Sequence, residues 1–154
     1  MKTITIENKE YQLEFTFAAA EHKELMQKMF NIVSGAYLIK HIGRRKKDEE
    51  TVGVAAEGLI DGTSEMVSEI PHICITAFFA GLLENNPVSE TDAKSLMKTY
   101  MKENKISFDK LFEELKQCME DDGFFDLSGL TDMTNRMNKG MKEQKNQPKK
   151  NTKK

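Results

Sequence analysis

Polar and apolar residues alternate near the start of the chain. Ile4 and Ile6 form one run, Tyr11, Leu13, Phe15 and Phe17 a second, and the polar stretch Glu7–Asn8–Lys9–Glu10 separates them. A period of two with β-branched and aromatic residues predicts a β-hairpin over residues 3–17, one side buried and one wet. A lone hairpin is marginal in water, so this one is expected to lie against helices. The spacing then changes to three and four. Leu25, Met26, Met29, Phe30, Val33, Ala36 and Tyr37 share one side of a predicted helix, whose end Gly35 weakens. His41–Glu50 follows, with the block Arg44–Arg45–Lys46–Lys47–Asp48–Glu49–Glu50 and no apolar side, and reads as a solvated linker.

Val52 to Ile70 shows a second helical pattern at Ala56, Leu59, Ile60, Thr63, Val67 and Ile70. Gly53, Gly58 and Gly62 interrupt it, each costing roughly 1 kcal/mol against Ala in a helix interior. This segment is expected to be the least stable helix, or a broken one. In the next stretch, Ile70–Asn86, every residue from Ile73 to Leu83 except Thr76 is apolar or Gly. A helix apolar on all sides is a buried one. Pro71 suits a first helical turn, and Asn85, Asn86 and Pro87 stop the helix. The run falls short of the roughly 20 apolar residues that a membrane span takes. It is therefore expected to be the central core helix.

Ser89 with Asp92 resembles a capping box, followed by the stripe Ala93, Leu96, Met97, Tyr100 and Met101 opposite Lys94, Lys98 and Lys102. Asn104 and Lys105 end that helix. Ser107 caps the next, with Phe108, Leu111, Phe112, Leu115, Cys118 and Met119 on its apolar side and Gly123 as a left-handed stop after Asp121–Asp122. A last helix is predicted over Leu127–Met141. The expected fold is α+β: an N-terminal β-hairpin packed on a mainly helical bundle of about five helices. Residues 1–138 form one domain, and 139–154 form a disordered, Lys-rich tail that has almost nothing to bury.

Composition refines this picture. Of 154 residues, 38% are hydrophobic and none is Trp, while 31% are charged, which favours a small helical core with well-solvated sides. The net charge of −2 hides an asymmetry: from Lys139 onward seven lysines stand against Glu143 alone, giving +6, so residues 1–138 carry −8. An acidic body is a poor nucleic-acid binder, and a short basic tail touches phosphate weakly and without sequence preference. Cys74 and Cys118 both fall on apolar stretches, as in a reduced cytosolic protein rather than a disulfide scaffold. The N-terminal residues have no continuous apolar core and do not read as a signal peptide.

Candidate chemistry is sparse. His22, His41 and His72 are scattered, and His72–Ile73–Cys74 lacks the second ligand pair that structural zinc needs. Gly53 and Gly58 have the outer spacing of a phosphate loop, but Leu59–Ile60 stands where Lys and Ser/Thr belong. Asp121–Asp132 lacks the alternating oxygen ligands and closing Glu of a calcium loop. No catalytic residue, metal or cofactor is expected. What stands out is methionine, ten in all. Met is flexible and polarizable, so it fills core gaps and also suits surfaces that bind varied apolar partners. Leu130, Met133, Met137 and Met141 lie on a late stripe with little left in the chain to pack it, and are the candidate partner-binding residues.

The opening strands ITIENKEYQLEF and the block IPHICITAFFAGLLENNPVSETDAKSLMKTYMKENKISFDKLFEELKQCMEDDGFF together resemble the tail assembly chaperones of long non-contractile-tailed (siphovirus-like) phages of Gram-positive bacteria. The resemblance spans roughly Ile4 to Met137. It implies copies that coat the tape measure protein, a very long, apolar, largely helical chain, in the host cell cytoplasm. It also implies self-association, displacement as tail tube subunits polymerise, and absence from the mature virion. In many members a ribosomal frameshift adds a segment that recruits tail tube protein, and this chain, ending at Lys153–Lys154, reads as the short form. The alternative reading is a small regulatory protein that uses its basic tail for nucleic-acid binding.

Overall fold

The computed structural model describes residues 1–37 and 51–145, with side chains described except at 51–58, 138 and 140–145. The predicted linker His41–Glu50 lies outside the described residues. So does the tail from 146, and with it the expected disorder there. A two-stranded antiparallel sheet opens the chain, β1 (Lys2–Ile6) and β2 (Lys9–Leu13). Seven helices follow among the described residues. They are α1 (Phe17–Glu21), α2 (Lys23–Val33), α3 (Thr51–Leu82), α4 (Glu90–Asn104), α5 (Phe108–Asp121), α6 (Phe124–Leu127) and α7 (Leu130–Lys145). The α+β class and the N-terminal hairpin are as expected, whereas about five helices was too few.

Local chemistry explains most of the boundaries. Glu7 and Asn8 both adopt positive φ, 51° and 62°, so the hairpin turns on two residues. Lys9 and Glu10, expected in the turn, pair with Ile6 and Thr5 instead. The Ser89 hydroxyl accepts from Asp92 N–H at 3.1 Å, and the Ser107 hydroxyl from Lys110 N–H at 3.3 Å. Lys105 (φ 53°) and Gly123 (φ 69°) are the left-handed residues after α4 and α5. The second strand stops at Leu13, short of the predicted 17. Phe15 is fully buried, but Phe17 opens α1 and is exposed, because the chain turns to run beside the end of α3. Gly129 (φ 73°) splits the predicted Leu127–Met141 helix into α6 and α7. Helix α7 then continues to Lys145, across the boundary expected at 138, because Lys, Glu and Gln all favour the helix.

The largest departure is α3. One helix of 32 residues replaces the two segments predicted around Pro71. Pro71 gives no N–H to the Val67 carbonyl, but Val67 is exposed, so water can satisfy that group. The helix is also clamped across the proline. Lys28 of α2 pairs with Glu69 at 3.3 Å, and Glu24 reaches His72 at 3.0 Å. Beyond the clamp, Ile73, Cys74, Ala77, Phe78, Ala80 and Leu82 are buried, with Thr76 among them donating its hydroxyl to the His72 carbonyl at 3.0 Å. This half of α3 is the centre of the core. Helices α4 and α5 pack along it, and the hairpin closes its end. The Glu14 N–H donates to the Gly81 carbonyl at 2.8 Å, and Gln12 N–H to Asn86 Oδ1 at 2.7 Å. The Asp122 carboxylate, nearly buried, accepts from Phe15 N–H at 2.8 Å and meets the Met1 ammonium group. Phe15 in turn stands edge-on to Phe124 at 6.1 Å.

Two expected outcomes follow. A Cβ on Gly81 would stand 2.9 Å from Phe15 Cζ and 3.3 Å from Leu13 Cδ2, both on buried side chains. Overpacking costs typically about 1–3 kcal/mol, against a helix-propensity gain of roughly 1 kcal/mol for Gly→Ala. Gly81→Ala should therefore lower the urea midpoint, and Phe15→Leu in the same chain should recover part of the loss. A raised midpoint for the single variant would show that the ring yields. The second outcome concerns Glu114, whose Oε2 accepts from Lys2 Nζ and from the Tyr100 hydroxyl, each at 3.0 Å. Burial pushes the Glu114 carboxyl up, but these bonds outweigh it and hold the group below its ordinary value. Tyr100, buried and bonded to that carboxylate, is pushed up to about 12. A carboxyl with a depressed folded pKa stabilises above its unfolded value, about pH 4.3, and the contribution disappears as pH falls through the folded value. Thermal melting of Glu114→Gln should thus lie below wild type at pH 7 and approach it at pH 3.

Candidate functional site

At 3.6 residues per turn, Leu59, Ile60, Thr63 and Val67 fall on one side of α3. Asp61, Glu65 and Glu69 fall on the opposite side, and Thr51–Leu82 contains neither Lys nor Arg. The acidic side is where α2 docks, through Lys28. The apolar side is open: Leu59 is 49% exposed, Ile60 67% and Val67 55%. Met66 and Ile70 flank this side and are half-buried.

The same side of the helix is covered two turns further on. Cys74 Sγ lies 3.4 Å from the Phe108 carbonyl at the start of α5, Phe78 stands 6.3 Å from the Tyr100 ring of α4, and Gly81 touches Phe15. One apolar stripe therefore runs along α3 from Leu59 to Gly81. Its C-terminal half is core, and no described residue covers its N-terminal half. Scattered apolar residues are normal on a surface, but a contiguous stripe along one helix is the shape that takes another helix.

The sequence-predicted partner residues on α7 divide. Leu130 is 2% exposed and belongs to the core, where it meets Phe125 and Val33 around a shallow cavity of about 170 Å³. It anchors α7 and faces no partner, because Gly129 turns the chain back so that the first residue of the helix points inward. Met133 is 51% exposed, and Met137 is exposed one turn on. Met141 lies on the helix, its side chain outside the described residues. In the sequence Leu59, Ile60, Thr63 and Val67 mark only a helical pattern, and they are not among the residues expected to bind a partner. The available signal was the strict separation of acids, spaced every four residues, from the apolar side.

Other chemistry-bearing groups have structural roles. His22 Nδ1 accepts from Leu25 N–H at 3.3 Å and starts α2, and its ring stands edge-on to Phe79. Burial, with Asp109 nearby, pushes the Cys74 thiol up to about 12, and burial raises Cys118 as well, the reverse of what a nucleophilic thiol needs. A cleft of about 500 Å³ between the start of β1 and α5 is lined by Lys2, Lys110, Glu113, Glu114, Gln117 and Asp121, a mixed-charge set whose Lys2 and Glu114 pair with each other. Among the described residues no three His, Cys, Asp or Glu side chains are grouped to hold a metal, and no helix is long and apolar enough to cross a membrane. Comparison of the chain with protein-family models, with curated proteins and with solved structures finds no match.

The division on α7 has a measurable consequence. Leu130→Ala should cost about 2–5 kcal/mol, as for other buried leucines. Met133→Ser should stay within about 0.5 kcal/mol of wild type, as for exposed positions. Equal losses in denaturant unfolding would place Met133 in the core with Leu130.

Proposed function

We propose that this chain is a tail assembly chaperone of a siphovirus-like phage. It holds the tape measure protein soluble in the host cytoplasm and leaves as the tail tube polymerises, with any frameshifted longer form recruiting tail tube protein. The observation that supports this most is the open apolar side of α3 at Leu59, Ile60 and Val67. A protein that coats a long apolar helical chain needs a rigid stripe matched to a helix and a charged exterior that keeps the complex dissolved. It also needs contacts weak enough singly to be displaced, and cumulative over many copies. Helix α3 meets the first need, and the charged residues that make up 31% of the chain meet the second. The flexible side chains of Met133 and Met137, exposed on α7, add an adaptable apolar patch of the kind that tolerates varied partner sequences.

Co-expression with a tape measure protein tests this directly. The triple variant Leu59→Ser, Ile60→Ser, Val67→Ser alters only exposed side chains and should melt within a few degrees of wild type. It should lose most of the ability to keep the tape measure protein in the soluble fraction. Unchanged solubilisation per folded molecule would remove α3 as the binding surface. If neither this variant nor Met133→Ser with Met137→Ser alters solubilisation, the chaperone reading itself fails.

A further inference from the structure

The polar groups on the open side of α3 are not alike. The Thr63 hydroxyl donates to the Leu59 carbonyl and the Ser68 hydroxyl to the Glu65 carbonyl, each at 2.8 Å, so the helix satisfies both from within. Ser64, exposed beside the stripe, has a hydroxyl that rotates to donate or accept and so suits any neighbour. The Val67 carbonyl differs. A helical carbonyl aims along the axis at the residue four further on, which here is Pro71, and proline has no N–H to give. No side chain among the described residues donates to it either. Val67 and Pro71 stand about 40° apart around the axis, so this acceptor lies on the open side, where Val67 is 55% exposed. It marks the closed end of the open stripe, because Cys74, the next stripe residue beyond Pro71, already meets the Phe108 carbonyl.

Water satisfies such a group while the side is open. A helix that docks on the stripe removes that water. An aliphatic side chain over Val67 then leaves a buried acceptor unmet, whereas a donor replaces the bond that Pro71 withholds. We infer that the Val67 carbonyl selects among apolar helices: the docked segment carries a hydroxyl or amide side chain among its aliphatic residues, at the position that faces Val67. This rests on the reading of α3 as the docking surface and names what that surface prefers. A carboxylate at that position would set acceptor against acceptor. A lysine would have to shed the hydration of a full charge, so a neutral donor fits best. Pro71 is thus more than a tolerated break, since it takes one acceptor out of the helix's own ladder and leaves it at the end of an apolar surface.

A synthetic amphipathic helix with leucine along its apolar side, titrated into the full chain by fluorescence anisotropy, tests it. Asparagine, close to leucine in shape, replaces each leucine of the peptide in turn. Pro71→Ala restores the missing N–H and so closes the Val67 carbonyl into the helix. At one peptide position, exchanging leucine for asparagine should be about tenfold more favourable on wild type than on Pro71→Ala. Pro71→Gly restores the same N–H without alanine's helix preference and should give the same shift, which separates the lost acceptor from a stiffer helix. A leucine-to-asparagine ratio that is equal on wild type and both variants at every position overturns the inference and leaves the α3 reading standing. Binding that survives serine at Leu59, Ile60 and Val67, or no binding by any peptide, overturns that reading and the inference together.

Discussion

The structure depends on the burial of α3 from Ile73 to Leu82 on nearly all of its sides, Ile75 and Phe79 alone being half-buried. A helix that is apolar all round has no solvent side, so every neighbouring element must present apolar surface to it. Helices α4 and α5 do so with stripes of three-and-four spacing, and the hairpin does so with Leu13 and Phe15. The approach is tightest at Gly81, where backbone meets ring and the absent Cβ is what permits contact. The polar links around this point run from backbone to backbone or from backbone to a carboxylate or amide, as at Glu14–Gly81, Phe15–Asp122 and Gln12–Asn86. Such links fix the hairpin's position and register, while apolar burial supplies most of the driving force.

The parts of this fold that were legible in the sequence are those whose causes are local. Ser89, Ser107, Lys105 and Gly123 bound α4 and α5 because capping and left-handed geometry involve only three or four consecutive residues. The Ile73–Leu82 core was legible because no solvent-facing residue interrupts it except Thr76, whose hydroxyl is absorbed by the helix's own backbone. Pro71 misled for the opposite reason. A proline's local preference is to start a helix, and what carries α3 through it is tertiary: the Lys28–Glu69 and Glu24–His72 pairs from a helix forty residues earlier. Phe17 and Leu130 failed similarly. Their hydrophobicity was read correctly, but turns at Thr16 and Gly129 decide which way each side chain points.

The open stripe on α3 was harder to see because composition cannot separate an apolar residue that packs from one that waits. Leu59 and Leu82 belong to the same helix, and only the extent of the surrounding body distinguishes them. Among the described residues that body ends about where α5 begins, at Phe108, which meets α3 at Cys74, two turns beyond Val67 on the same side.

A rigid apolar surface outside its own core is an aggregation hazard, and it stands here on a helix anchored in the core. A short isolated helix in this region would be marginal, since its glycines weaken it and nucleation is unfavourable. Joined without a break to a buried half, the N-terminal half needs no nucleus of its own. It presents Leu59, Ile60, Thr63 and Val67 in a fixed spacing, which lowers the ordering cost of docking another helix. The −8 charge of residues 1–138 opposes indiscriminate association between bodies of the same sign.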